Sequence, residues 1–130
     1  MPVKGIVELL EFPMDRWLRA TMNSCNGLLA AMRSEAAFRQ ELVALMLSVP
    51  LAFVVTPDIW KRLALIAVVL FLVVVELLNT AIEKLADHVT PALHPGIGRV
   101  KDMGSAAVGV ALLLAAAIWL VAIGERLAIL

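Results

Sequence analysis

Hydrophobic and polar residues follow a helical period over the first part of the chain and then give way to long apolar runs. Residues 5–27 mix apolar side chains such as Trp17 with acids and bases, which predicts an amphipathic helix on a membrane surface. Pro13 interrupts that pattern, so we expect the helix to begin near Asp15. Residues 28–55 begin amphipathic and end wholly apolar, and they are predicted as the first transmembrane span.

Two further spans follow from the rest of the pattern. Thr56-Pro57-Asp58 is a turn signal that separates the first span from residues 63–87, and residues 101–124 form the third. The segment HVTPALHPGIGRVKD between the second and third spans carries two prolines and two glycines. We therefore expect it to be the longest irregular stretch of the molecule.

Composition places the chain among integral membrane proteins. Hydrophobic residues make up 62% of its 130 residues, whereas a soluble domain has about 45–50%. Each span uses about 20 residues, so the chain has room for three spans and no separate soluble domain. We predict an all-α fold that forms a single membrane domain over residues 1–130. The formal net charge of zero gives no reason to expect a nucleic-acid partner.

Basic residues are distributed unevenly between the two ends of the predicted spans. The end that is richer in Lys and Arg usually faces the cytoplasm. The amino terminus and the second loop are therefore predicted to be cytoplasmic. The basic residues predicted on the cytoplasmic side of the membrane are Lys4, Arg16, Arg19, Arg33, Arg39, Lys84, Arg99 and Lys101. Those predicted on the opposite side are Lys61, Arg62 and Arg126.

Polar residues form a stripe near the end of the second span. Glu76, Asn79 and Glu83 stand three and four residues apart, so they share one face of a helix, and Asp87 extends that face toward water. An ionisable side chain within a span is costly and is a functional-site hypothesis by default. The alternative is a polar seam that only joins helices, but such seams more often use Ser, Thr or Gly.

The stripe suggests phosphoryl transfer. Mg²⁺ binds carboxylates together with substrate phosphates, and we expect Glu35 and Glu83 to hold it. The deeper Glu76 is placed to take a proton from a lipid hydroxyl. Lys101 and Arg99 are candidates for phosphate oxygens, although Lys101 alone also fits a lysine that extends to the headgroups. Charge neutralisation, positioning and a base are the parts that this reaction requires.

Other familiar site signatures are absent from the sequence. There is no G-x-x-x-x-G-K-[ST] segment, and Gly96-Ile-Gly98 lacks the third glycine of a dinucleotide loop and follows no predicted strand. His88 and His94 lack the H-E-x-x-H spacing of zinc hydrolases. The simpler interpretation is that both lie in a loop or at the interface, with His94 also a candidate nucleotide contact.

Three separated segments resemble one known family. EAAFRQE at 35–41, VELLNTAIE at 75–83 and KDMGSAAV at 101–108 have the order and spacing of the prokaryotic diacylglycerol kinase family. The resemblance covers nearly the whole chain from Leu28 onward. It implies a small enzyme of the bacterial inner membrane with three transmembrane helices and an amino-terminal surface helix, assembled as a homotrimeric bundle. It also implies that ATP, with Mg²⁺, phosphorylates diacylglycerol to phosphatidic acid.

The resemblance implies roles for individual residues as well. Glu76 matches the catalytic base, Glu35 and Glu83 match the Mg²⁺ ligands, and neighbouring subunits would combine to build each site. The implied nucleotide-binding residues are Arg16, Glu35, Asn79, Glu83, His94, Lys101 and Asp102. The implied lipid-binding residues are Arg16, Ala37, Phe38, Arg39, Gln40, Glu41, Glu76 and Ser105.

The chain departs from the family pattern before the first motif. Asn23-Ser24-Cys25-Asn26 stands where enterobacterial members carry an aromatic residue, a tryptophan and a lysine. Undecaprenol kinases resemble the chain in fold and acidic stripe, so they are an alternative, but the F-R-Q-E and D-M-G-S-A strings favour the diacylglycerol branch. A small proton-coupled transporter or channel is an alternative from another class, because intramembrane glutamates also carry protons.

Overall fold

The computed structural model describes residues 13–128, so the amphipathic pattern expected over residues 5–12 lies outside the described part of the chain. Within it the fold is all-α, as predicted. Three of the helices are long and apolar enough to cross a membrane, which makes the chain a membrane protein. Residues 13–128 contain the helices α1 (Pro13–Ser34), α2 (Ala36–Val55), α3 (Ile59–Val89) and α4 (Pro95–Arg126).

Helix α1 belongs to a compact unit of its own, and the boundary with the second unit falls between Ser34 and Glu35. The helix begins at Pro13, two residues before the expected start, because the first turn of a helix tolerates a proline without an N–H. Its large apolar side chains are exposed and, at 100° per residue, share one face of the helix. They are Met14, Trp17, Leu18, Met22, Leu28, Leu29 and Met32. This is the amphipathic pattern that the sequence predicted.

The break between α1 and α2 corrects one expectation. We predicted one continuous helix over residues 28–55, whereas the structure ends α1 at Ser34 and starts a new helix at Ala36. Glu35 is extended, with φ −112° and ψ 117°, and it precedes the first residue of α2. The reason is local: charged and polar residues at 33–35 end the apolar face of α1. The buried face of α2 then starts afresh at Phe38.

The connection from α2 to α3 is the short turn that the sequence predicted. Asp58 ends this turn and caps α3, because its carboxylate oxygen accepts hydrogen bonds from the backbone N–H groups of Trp60 at 2.8 Å and Lys61 at 3.0 Å. The cap satisfies amides that have no partner within the helix. Helix α3 consequently starts at Ile59, four residues before the predicted boundary.

Within residues 13–128 the longest stretch between helices lies between the second and third spans, as predicted, but it is shorter than expected. It comprises residues 90–94, because α4 already begins at Pro95. The proline occupies the first turn, where a missing N–H costs nothing. His94 caps the helix through Nδ1, which accepts from the Gly96 N–H at 3.1 Å. The Gly98 N–H then donates to the His94 carbonyl at 2.9 Å, so the glycines continue the helix.

Helix α3 is the centre of the second unit, since it packs against both α2 and α4. Its core cluster pairs Val68 and Val69 with Ala115 of α4, and Trp119 of α4 packs against that cluster. The Trp119 indole also donates a hydrogen bond to the carbonyl of Leu65 at 3.1 Å. At 1.5 Å per residue, α3 and α4 are each more than about 45 Å long, so they exceed the hydrocarbon thickness of about 30 Å.

Candidate functional site

The buried face of α3 changes from apolar to polar along its length without changing direction. Val73 is 4% exposed, and the polar residues that follow on the same face are nearly as buried, with Glu76 at 7%, Asn79 at 8% and Thr80 at 6%. The stripe predicted from the sequence therefore points between the helices, where intramembrane ionisable groups are normally found.

Asn79 lies between two carboxylates on this face. Glu76 and Glu83 are seven residues apart, which separates them by about 10 Å along the helix axis. The Asn79 Nδ2 donates to Oε1 of Glu83 at 3.2 Å. Its Oδ1 is buried and accepts no hydrogen bond from any of residues 13–128. The amide therefore holds Glu83 on one side and offers an unused acceptor on the other.

Glu35 joins this group from the start of α2. Its carboxylate forms an ion pair with Lys84 Nζ at 2.8 Å. The negative charges of Glu83 and Glu35 both act on the carboxylate of Glu76. The three acids that the sequence assigned to one site are thus brought into electrostatic range of one another.

A further acid of α2, Glu41, faces the same region. Its charge interacts with that of Glu76. Its Oε2 is buried, and no donor within residues 13–128 reaches it. Two intramembrane acids from neighbouring helices therefore face each other, and each unsatisfied oxygen is costly in a low-dielectric environment.

Lys101 lies on α4 beside the outer end of the stripe. Its Nζ donates to Oδ1 of Asp87 at 2.9 Å, and the charge of Glu83 also acts on it. Lys101 is half-buried, while Asp102 and Ser105 are exposed. Lys101 is thus the cation of α4 that the structure brings to the acidic stripe.

Of the other predicted residues, Arg16 belongs to the first unit, and His94 is the amino-terminal cap of α4. In the first motif, Phe38 is 1% exposed and is part of the packing, whereas Ala37, Arg39 and Gln40 are exposed.

Sequence reasoning missed two residues at the site. Lys84 was counted only as a basic residue of the second loop, and no spacing within its own helix shows that it pairs with Glu35 of α2. Gly104 lies within the KDMGSAAV segment, but nothing in that segment shows which group it faces. The structure identifies that group, because a Cβ added at Gly104 would clash with Oδ1 of Asn79.

The donor set fits Mg²⁺ only when other ligands complete it. Within residues 13–128, no three His, Cys, Asp or Glu side chains are grouped closely enough to hold a metal ion. Mg²⁺ usually takes one or two carboxylates and completes its shell with waters and substrate phosphates. Glu35 and Glu83 supply two such carboxylates, and Oδ1 of Asn79, without a hydrogen-bond donor among residues 13–128, is a further oxygen nearby on the same helix face as Glu83. They suit a cation that arrives with a nucleotide.

Comparisons with known proteins agree with one another. The profile of the family described as prokaryotic diacylglycerol kinase matches residues 22–123. The diacylglycerol kinase of Escherichia coli K12 is 44% identical over 104 residues, which cover 80% of this chain and 85% of that protein. The diacylglycerol kinase of Pseudomonas aeruginosa is 44% identical over 106 residues, covering 82% and 86%. That of Helicobacter pylori J99 is 36% identical over 104 residues, covering 80% and 81%.

Proposed function

The chain belongs to the prokaryotic diacylglycerol kinase family, and from this premise we propose that it phosphorylates diacylglycerol to phosphatidic acid with ATP as the donor. The observation that carries the proposal is the burial of Glu76 between helices, beside Glu83 and Glu35. A buried acid with two further acids nearby is costly and marks a functional site, and cations and polar substrates would offset its charge. Relatives from several bacteria, all named diacylglycerol kinase, favour diacylglycerol over undecaprenol as the acceptor.

In the proposed reaction Glu76 is the general base. Its carboxylate accepts the proton of the free lipid hydroxyl while that oxygen forms a bond to the γ-phosphorus of ATP. The bond from the γ-phosphorus to the bridging oxygen breaks, and ADP leaves. Burial of Glu76 keeps water away from the reacting oxygen, so that the lipid rather than water receives the phosphoryl group.

Glu35 and Glu83 would hold Mg²⁺, and Asn79 orients Glu83 through the 3.2 Å hydrogen bond. When bound, Mg²⁺ would neutralise charge on the transferring phosphoryl group. Lys101, which lies within range of Glu83, would exchange its bond with Asp87 for a phosphate oxygen. Asp102, His94 and Arg16 complete the proposed nucleotide contacts.

The lipid would enter from the membrane along the start of α2. Ala37, Arg39 and Gln40 are exposed there, and Glu41 of the same segment faces Glu76. Ser105 is exposed on α4. These residues, with Phe38 and Arg16, form the proposed lipid subsite.

We place the enzyme in the bacterial inner membrane with its amino terminus in the cytoplasm and propose that it works as a homotrimer. The excess of Lys and Arg on one side supports this orientation. Buried acceptors without a donor, Oε2 of Glu41 and Oδ1 of Asn79, support a site that substrates or another subunit complete.

The test is a phosphorylation assay on the purified protein in detergent micelles. Labelled ATP and Mg²⁺ are supplied with diacylglycerol, undecaprenol or no lipid. We expect label in phosphatidic acid only when diacylglycerol is present. Label in the polyprenyl lipid alone would show that undecaprenol, and not diacylglycerol, is the acceptor. Proton flux through liposomes without any lipid phosphorylation would show that the protein is a transporter or channel and not a kinase.

A further inference from the structure

Gly104 of α4 lies directly against the amide of Asn79. Gly104 is buried, and a Cβ built on it would overlap Oδ1 of Asn79. Gly109, five residues further along the same helix, has nothing within 4 Å of the equivalent position. The close approach to Asn79 at Gly104 is therefore not repeated at Gly109, although both glycines lie on α4.

The conformation of the Asn79 amide depends on that space. Its Oδ1 is buried without an N–H or O–H donor among residues 13–128, so no hydrogen bond fixes the oxygen. The other end of the amide is fixed, because Nδ2 donates to Oε1 of Glu83. The atom on Gly104 that faces Oδ1 is a hydrogen on Cα, which is small and a weak donor.

We propose that Gly104 is a positioning residue for the cation site. The absence of a side chain at Gly104 allows the Asn79 amide to lie with its nitrogen on Glu83, and this sets the orientation of the Glu83 carboxylate. A methyl group at Gly104 forces the amide to rotate, because α3 and α4 pack against each other and the far end of the Asn79 side chain can move more easily than a helix backbone. The rotation withdraws Nδ2 from Glu83. The inference rests on the proposed function in so far as Glu83 holds Mg²⁺.

The test compares Gly104→Ala with Gly109→Ala, which adds the same methyl group to the same helix in open space. We expect Gly104→Ala to raise the Mg²⁺ concentration for half-maximal activity by about tenfold, as expected for a lost hydrogen bond to a charged group. Gly109→Ala should stay within about twofold of the parent. An equal Mg²⁺ requirement in both variants would overturn the proposal.

A double-mutant cycle separates positioning from simple packing. In an Asn79→Ala background there is no amide to displace, so Gly104→Ala should cause no further change in the Mg²⁺ requirement. If the two substitutions instead act independently, Gly104 does not act through Asn79. Should Gly104→Ala alone fail to fold, the double variant should restore folding, since the overlapping oxygen is gone. Failure of the double variant to fold would count against the proposal.

A binding measurement keeps this inference distinct from the proposed reaction. Mn²⁺ with ADP is titrated into the purified protein, and free Mn²⁺ is followed by electron paramagnetic resonance. Weaker binding in Gly104→Ala than in Gly109→Ala supports the positioning role, even if diacylglycerol proves not to be the acceptor. Equal binding in the two variants rejects the positioning role, even if the parent protein phosphorylates diacylglycerol.

Discussion

Glu35, which immediately precedes α2, forms an ion pair at 2.8 Å with Lys84, which lies near the end of α3. The pair occupies a carboxylate to which we assign Mg²⁺. A cation that binds Glu35 therefore competes with the Lys84 ammonium group for the same carboxylate.

Lys84→Met should lower the Mg²⁺ concentration for half-maximal activity, because it removes this competitor. The side chains are 55% and 28% exposed, and an ion pair of this kind is worth about 0.2–1 kcal/mol. The shift should thus be no more than about fivefold. Lys84→Arg keeps the charge and is the control. A higher Mg²⁺ requirement in Lys84→Met would show that Lys84 assists binding.

Glu76→Gln should lose phosphoryl transfer by a factor of at least about 100, since an amide cannot accept the proton of the lipid hydroxyl. Glutamine has nearly the same size, so helix content and the size of the detergent-solubilised assembly should match the parent by circular dichroism and gel filtration. Near-normal turnover in the variant would remove Glu76 from the mechanism.

Glu83→Ala should raise the Mg²⁺ requirement and leave turnover at saturating Mg²⁺ less affected. The change removes one proposed ligand and also the acceptor for Nδ2 of Asn79. Glu35→Ala should act in the same direction. Activity measured across an Mg²⁺ titration checks both, and an unchanged titration in the two variants would argue against metal binding by these acids.

His94 offers a choice between a structural role and a nucleotide contact. Because its Nδ1 caps α4, His94→Ala should lower the thermal unfolding midpoint, whereas His94→Asn should preserve it, since Asn is a good cap. If the cap is the whole role, the KM for ATP in His94→Asn equals that of the parent. A KM raised severalfold in that stable variant would establish a nucleotide contact instead.

The Asp58 cap predicts a pH dependence of stability. Hydrogen bonds from the backbone N–H of Lys61 and then of Trp60, with the nearby positive charges, lower the pKa of the Asp58 carboxyl from its ordinary value of 3.8. A lowered pKa means that the stabilisation is complete above the unfolded value and is lost as the pH falls through the folded one. Asp58→Asn should remove this part of the acid sensitivity while keeping the cap, as thermal unfolding in micelles between pH 7 and pH 3 would reveal.

The sequence was sufficient to predict the three apolar helices and the acidic stripe, because both depend on spacing within one helix. The face that joins Glu76, Asn79 and Glu83 follows from 3.6 residues per turn. The helix boundaries were less predictable where a cap decides them. The caps Asp58 and His94 each start a helix before its apolar pattern begins. Pro95 suggested a loop in the sequence, but in the structure it occupies the first turn of α4.

Contacts between helices could not be predicted in the same way. The pairing of Lys84 with Glu35 and the contact of Gly104 with Asn79 each join residues of different helices. They depend on how those helices are rotated and how closely they approach. Helical spacing constrains neither quantity, so these partners became evident only from the structure.

One uninterrupted face of α3 carries both the packing residues and the acids. The residues that hold the fold together and those that carry the chemistry therefore lie at the same angle around the helix axis. Inserting one residue between Val73 and Glu76 would turn the carboxylates by about 100° toward the lipid tails while leaving Leu65 in place. A point substitution leaves the angles of the other side chains around the helix axis unchanged. This helix should therefore tolerate changes of side chain far better than any change of length.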